Sequence, residues 1–540
     1  MEFNMTDQQL EAYLASEKRI LVSAAAGSGK TAVLVHRVGR LLLEGASLQR
    51  MLIITYTSAA AGELKDRIRA FLTNQYPAHP DKYGQALLDV ESARISTIHS
   101  LGKDLILEHY EQLGISPEAR EIRDEEKERL LEQAWHDSMN RLLEEAAPDF
   151  MALCDIFDND KLQELCLQLY EFMMSLDDPI GWLERAAKET EVRPFANTVW
   201  FEPMAATVRL KVQVILEKAR QLGRWAEDPD AIEKLRALPA QDMQSLEQVL
   251  QASEDGPEAL LRACAEVSWA RMPAVKASSL TTGEAIWKER YTRERNELKK
   301  QVSDLAQAFT PDQDTVGMEL DNLGTQLRGL CLLMKRFCVR YRELKAENGL
   351  IDFHDMEQMA GEVLGMKGLQ GVEGIRPVKD AEDIRSKVRK RFDHIFVDEF
   401  QDVSGIQYGL IKRLAGPDTC VFMVGDPKQS IYRFRNADPT IFMAMAERKT
   451  FGDGDEELPV RVIHLQQNFR SRAVILDCAN DVFARAMRRS ITELDYTEDE
   501  RLIPGRKAEG RLPTELHIIN VDECANSLIH EAAVVIRRIR

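Results

Sequence analysis

Apolar positions near the start of the chain fall into short runs, each followed by a stretch whose apolar positions recur at helical spacing. Ile20-Leu21-Val22 leads into a glycine-bearing turn and then into the helical stripe of "TAVLVHRVGRLLLEG". "MLIITYTSAAAGELKDRIRAFL" repeats the scheme from residue 51, and "ARISTIHSLGKDLIL" repeats it from residue 93. Strands alternating with helices predict a parallel sheet with right-handed crossovers.

From about residue 110 to 345 the period is helical. Leu131, Trp135, Met139 and Leu142 share one stripe of "ERLLEQAWHDSMNRLLEEA", and "IWKERYTRERNELKKQVSDLAQAF" is a charged amphipathic helix. Strand signal is almost absent there, and no fixed repeat is found. The α/β pattern returns with "HIFVDEF", "TCVFMVGDP" and "RVIHLQQNFRS", then a strand-like "ELHIINV" and the helical "SLIHEAAVVIRRIR". The acidic "FGDGDEELP" at 451–459 is expected to link a first α/β domain to a second. The fold class is therefore α/β, a parallel-sheet domain interrupted by a large all-helical insertion and followed by the start of a second α/β domain. The expected segments are 1–109, 110–345, 346–455 and 456–540. The final helix reaches Arg540 without a stop signal, so the chain is expected to be part of a longer protein.

Composition narrows this picture little. The 540 residues suffice for several domains, and no apolar run is long enough to span a bilayer. The N-terminal "MEFNMTDQQLEAY" lacks the basic and apolar regions of a signal peptide, and the eight cysteines include no C-x-x-C pair. A cytoplasmic protein with reduced thiols is expected, with Cys331 and Cys338 as packing residues. The net charge of −18 argues against a broad basic footprint for nucleic acid, yet a local channel can be positive on an acidic molecule.

Candidate chemistry enters with "AAAGSGKT", Ala24, Ala25, Ala26, Gly27, Ser28, Gly29, Lys30 and Thr31, set between an apolar strand and a helix. The glycines let backbone amides turn toward phosphate oxygens, Lys30 reaches the β- and γ-phosphates, and the Thr31 hydroxyl suits Mg²⁺. In "FDHIFVDEFQD" an apolar strand ends in Asp398 and Glu399, at the sheet edge where ligands gather. Asp398 is expected to hold the Mg²⁺ that Thr31 touches, and Glu399 to deprotonate the attacking water. "VGDPKQSIYRFR" offers Gln429 to sense the γ-phosphate, then alternates Tyr432, Arg433, Phe434 and Arg435, a pattern suited to stacked bases and phosphates. Arg470 in "QNFRS" is placed on the second domain, from which it would act as an arginine finger. Each piece alone has a plainer reading: a glycine turn, two solvated acids, a buried aromatic pair, a surface arginine.

Together, "AAAGSGKT", "IITYTSAAAGELKDRI", "ISTIHSLG", "VDEFQD", "VGDPKQSIYRFR" and "QNFRSR" resemble, in order, motifs of the superfamily 1 helicases related to UvrD and Rep. Within that family, "VSAAAGSGKTAVLV" and "LQLYEFMMSLDDPIGWLE" resemble the AddA (RexA) group, helicase–nuclease subunits that pair with AddB. The resemblance implies two RecA-like domains and an ATP-dependent 3′→5′ DNA translocase that processes double-strand breaks for recombination. It implies Gln9 on adenine with Phe469 stacked beside it, and DNA contacts by Tyr56, Thr57, His99, Tyr432 and Phe434. Phe434 stands where relatives often carry Trp, Phe469 where Tyr is frequent, and Leu101 where many have an aromatic. The fifth and sixth motifs and the nuclease domain find no match, so no nuclease residue is assigned and this portion alone is expected to translocate poorly. The alternatives are a UvrD/Rep-type repair helicase, an ATPase of another class, and a DNA-binding module whose ATP site is dormant.

Overall fold

Six strands form one sheet in which every neighbouring pair is parallel: β1 (Arg19–Ala24), β2 (Met51–Thr55), β3 (Arg94–Thr97), β4 (His394–Val397), β5 (Cys420–Gly425) and β6 (Arg461–Leu465). Their spatial order is β6-β1-β5-β4-β2-β3. The computed structural model describes residues 5–193, 195–252, 259, 262–263, 266–276, 280–308, 313–452, 457–506, 515, 517 and 527–539.

Alternation along each strand sends neighbouring side chains to opposite faces, and both faces are covered. Ile20, Val22, Phe396 and Phe422 pack beneath helices Lys30–Leu43 and Ser58–Gln75. Leu21, Ile395, Val397, Val421 and Met423 pack beneath helices Ile98–Glu108, Phe353–Val363 and Gly405–Leu414. Burial on both sides explains why these strands read as continuous apolar runs. The loops that leave β1, β4 and β5 emerge together at the carboxyl edge of the sheet.

β6 departs from the sequence expectation that residues 456–540 open a separate sheet. Ile20 pairs with Arg461 and Ala24 with Leu465, so β6 is the outer neighbour of β1. Ile463 and Leu465 sink into the core that holds Ile20 and Val22, and that burial fixes the strand there. On the two sides of the acidic stretch expected to be a domain linker, Thr450–Phe451 pairs antiparallel with Leu458–Pro459. Of the expected strand "ELHIINV", residues 516 and 518–521 lie outside the described residues.

The helical region contains two cores rather than one. Helices Asp124–Glu145, Asn159–Met173 and Gln313–Glu347 enclose Trp135, Phe150, Tyr170, Phe337 and Tyr341, with Cys331 and Cys338 packed among them. Of the predicted stripe, Trp135, Met139 and Leu142 are buried and Leu131 is partly buried against them. Helices Phe201–Trp225, Leu238–Ala252 and Thr282–Ala308 enclose Val208, Ile215, Trp287 and Tyr291. Where the region rejoins the sheet, Lys345 Nζ lies 2.8 Å from Asp352 and 2.7 Å from Asp355, all buried. Among the described residues no helix is long and apolar enough to cross a membrane.

Candidate active site

β1 is buried along its whole length through Ala24, which fixes the direction in which the chain leaves the sheet. Gly27 and Gly29 then adopt φ of +68° and +84°, a backbone that side chains disfavour, and Gly29 caps helix Lys30–Leu43. The segment after β6 clamps this loop. Phe469 N donates to Gly27 O at 2.9 Å, Asn468 Nδ2 to Ala26 O at 2.5 Å, and Ala25 N to Leu465 O at 3.0 Å. A Cβ on Gly27 would lie 2.7 Å from Arg470 Cβ, so the two segments touch with no room to spare. Arg470 therefore belongs to the same sheet edge as the loop and does not arrive from a second sheet.

The Ser28 hydroxyl is buried with no partner, and Thr31 sits half-buried in the first turn of the helix. Gln9, expected on adenine, is here held by the protein. Its Oε1 accepts from Thr6 N at 3.0 Å and its Nε2 donates to Ser28 O at 2.8 Å.

β4 delivers the acids. Asp398 N donates to Ile54 O at 2.9 Å, and Glu399 stands at φ +50°, an unusual conformation for a residue with a Cβ. Lys30 Nζ lies 3.0 Å from Glu399 Oε2, closing a contact across 369 positions of sequence. Burial, and then the charge of Glu399, push Asp398 up to about 6. The same two causes push Asp402 up to about 6. Three carboxylates facing one lysine leave the site short of positive charge. An orphaned hydroxyl at a helix N-terminus and this donor set fit a triphosphate with a divalent cation, for which Thr31 and Asp398 offer oxygen ligands.

Sequence reasoning missed Gln401. Its Nε2 donates to Glu399 Oε2 at 3.1 Å and to Asp402 Oδ2 at 3.0 Å, while its Oε1 accepts from Asp426 N at 2.9 Å. The available signal was a polar pair, Gln401-Asp402, persisting beyond the acids of "VDEFQD" and buried almost completely. Gln429 Nε2 donates to Asp426 Oδ2 at 2.7 Å, which holds the amide at the edge of the same site.

Beside the acids opens a cleft of about 770 Å³, lined by Tyr56, Thr57, His99, Asp398, Glu399 and Arg435. Tyr56 stacks on Tyr432, Tyr432 leans against Phe434 with ring centroids 5.8 Å apart, and the Arg435 guanidinium lies over both of the latter rings. Phe434 is 76% exposed, a large cost for an aromatic ring. Thr57 spends its hydroxyl on capping helix Ser58–Gln75, and His99 Nε2 lies 3.1 Å from Glu357 Oε1. Leu101 is buried in the core and does not face the cleft.

Residues 5–450 match the family model of the UvrD/REP helicase N-terminal domain. An ATP-dependent helicase/nuclease subunit of Acetivibrio thermocellus is 31% identical over 92% of this chain and 40% of its own length. The corresponding protein of Moorella thermoacetica is 32% identical over 92% of this chain and 36% of its own. That of Listeria monocytogenes serotype 4a is 30% identical over 96% and 42% respectively. The chain thus spans about two-fifths of the length of the curated relatives it matches.

Proposed function

Because this chain belongs to the UvrD/REP helicase family, we propose that it binds and hydrolyses Mg-ATP at the carboxyl edge of the six-stranded sheet and uses the reaction to move along single-stranded DNA. The full protein would be an ATP-dependent 3′→5′ helicase subunit of a helicase–nuclease that processes double-strand breaks, acting in the cytoplasm with an AddB-like partner. The names of its relatives, each one component of an ATP-dependent helicase/nuclease, support this reading.

The observation that carries it is the 3.0 Å approach of Lys30 to Glu399. Bound Mg-ATP supplies the phosphoryl group and the metal's charge. The loop amides of Gly27, Gly29, Lys30 and Thr31, with the Lys30 ammonium, would bind the phosphates, and Thr31 and Asp398 would hold the cation. With Lys30 drawn to the phosphates, Glu399 is free to accept the proton of an attacking water while Gln401 keeps hold of its carboxylate. In this reading the Gln429 amide reports the γ-phosphate, and the Arg470 guanidinium offsets charge that develops on transfer. Gln9 and Phe469 frame the adenine. For Gln9 this requires release of its bond to the Ser28 carbonyl, which links base recognition to loop shape.

DNA bases stack on Tyr432 and Phe434, with Tyr56, Thr57 and His99 along the cleft. The acids share this cleft with Tyr56, which stacks on Tyr432, so a change at the phosphates reaches the DNA track over a short path. The proposed division is a RecA-like ATPase domain carrying a helical insertion over residues 110–345, with a second RecA-like domain beginning beyond Arg470.

Replacing Lys30 with Ala tests the site. ATP binding and hydrolysis by the full-length protein are expected to be lost while its circular dichroism and melting stay near the parent's. A Lys30→Ala variant with full ATPase activity would overturn the assignment.

A further inference from the structure

Glu500 lies outside every motif of the nucleotide and DNA sites, in a short turn at Glu498–Glu500 that follows helix Ala473–Ala486. Its carboxylate nonetheless reaches β1 and the loop that carries Gln429. One oxygen meets the Lys428 ammonium, and the other accepts from Ser23 Oγ of β1 at 3.4 Å. Lys428 Nζ also lies 2.9 Å from Asp426 Oδ1, and the second oxygen of Asp426 takes the Gln429 amide at 2.7 Å. The side chains of Asp426, Lys428 and Glu500 are 2%, 6% and 10% exposed, so the chain of contacts is shielded from solvent.

Charge balance makes Glu500 the odd member. Asp426 alone would neutralise Lys428, and a second carboxylate in a buried site costs desolvation without being needed for neutrality. His464 Nδ1 stands 4.0 Å from Glu500 Oε1 and has no hydrogen-bond partner. The turn that carries Glu500 is itself fastened to the loop clamp: Ile503 N donates to Gln466 O at 3.0 Å and Gly505 N to Asn468 O at 2.9 Å. Glu500 therefore ties two structures together, the loop that presents Gln429 and the segment that presents Arg470.

We propose that Glu500 is a positioning residue for ATP hydrolysis, acting through Lys428 and Asp426 to hold the Gln429 amide in a fixed relation to the segment that bears Arg470. The inference rests on the reading of Gln429 as the γ-phosphate sensor. Removing the Glu500 charge leaves Lys428 on Asp426 but cuts the tie from this loop to the segment that bears Arg470, so the Gln429 amide is no longer held in a fixed relation to that segment. Nucleotide binding, which depends on the loop and Lys30, is left intact.

The test compares Glu500→Gln, Glu500→Asp, Gln429→Ala and the Glu500→Gln/Gln429→Ala pair in the full-length protein. Readouts are DNA-stimulated ATP hydrolysis, binding of a fluorescent ATP analogue, and thermal melting. Glu500→Gln is expected to lower kcat roughly tenfold with analogue affinity within about twofold of the parent. Glu500→Asp, which keeps the charge on an arm one methylene shorter, is expected to fall between the parent and Glu500→Gln. The double variant should be no slower than Gln429→Ala alone, because both changes remove one function. Full kcat in Glu500→Gln, or a double variant slower by the product of the single effects, would overturn the proposal while leaving the sensor reading intact. Unchanged hydrolysis in Gln429→Ala would overturn the sensor reading and the inference with it.

Discussion

Tyr56 and Tyr432 stack ring on ring, with centroids 4.7 Å apart and planes 27° from parallel. One follows β2 and the other follows β5, so the sheet itself assembles the aromatic track that continues to Phe434. Base–aromatic stacking contributes about 1–3 kcal/mol per base, so Tyr432→Ala is expected to weaken single-stranded DNA binding by roughly 5- to 150-fold. ATP affinity measured without DNA should not change. Phe434→Trp, which keeps a stacking face, should bind as well as the parent in an anisotropy titration with a labelled oligonucleotide.

Asp398 is held in the folded protein at a pKa of about 6 against an ordinary 3.8, chiefly by burial and then by Glu399. The folded state therefore keeps its proton to higher pH than the unfolded chain does. Ionisation destabilises the fold progressively as pH rises from about 4 to about 6, and the loss persists above that window. Asp398→Asn keeps the shape without the charge. It is expected to exceed the parent's stability at pH 8 by about 1–3 kcal/mol, to lose that advantage as pH falls toward 4, and to lose ATP hydrolysis. Melting curves without Mg²⁺ across this pH range check the sign.

In the second helical core, Arg295 Nε lies 2.5 Å from Asp242 Oδ2, and the two side chains are 4% and 6% exposed. Asp242→Ala leaves a buried guanidinium without its counterion, a change that costs about 3–5 kcal/mol. That core is separate from the sheet, so the loss should appear as early melting or proteolysis within residues 195–305, with ATP binding preserved. Limited proteolysis followed by mass spectrometry locates the cuts.

The phosphate loop was legible because its backbone demands glycines at fixed places, and Gly27 and Gly29 indeed carry positive φ. Asp398 and Glu399 were legible because the same chain carries a phosphate loop for acids at the end of a strand covered on both faces to serve. The membership of β6 was not. Its alternating pattern says that one side is buried, but pairing with β1 depends on which edge is open. The two helical cores were hidden for a similar reason, since a stripe such as Trp135–Met139–Leu142 reveals a buried face without revealing what covers it. Gln401 escaped because its third partner, Asp426, joins it only when β4 and β5 lie side by side.

The most direct measurement replaces Glu399 with Gln and follows ATP binding and hydrolysis separately in the full-length protein. Lys30 now loses the charge that holds it 3.0 Å away, so ATP should bind at least as tightly as to the parent, while hydrolysis drops by about 10²–10⁴-fold with the general base gone. Hydrolysis at the parent's rate would mean that Glu399 and Lys30 do not serve one phosphate site, and the motor reading would fall with them.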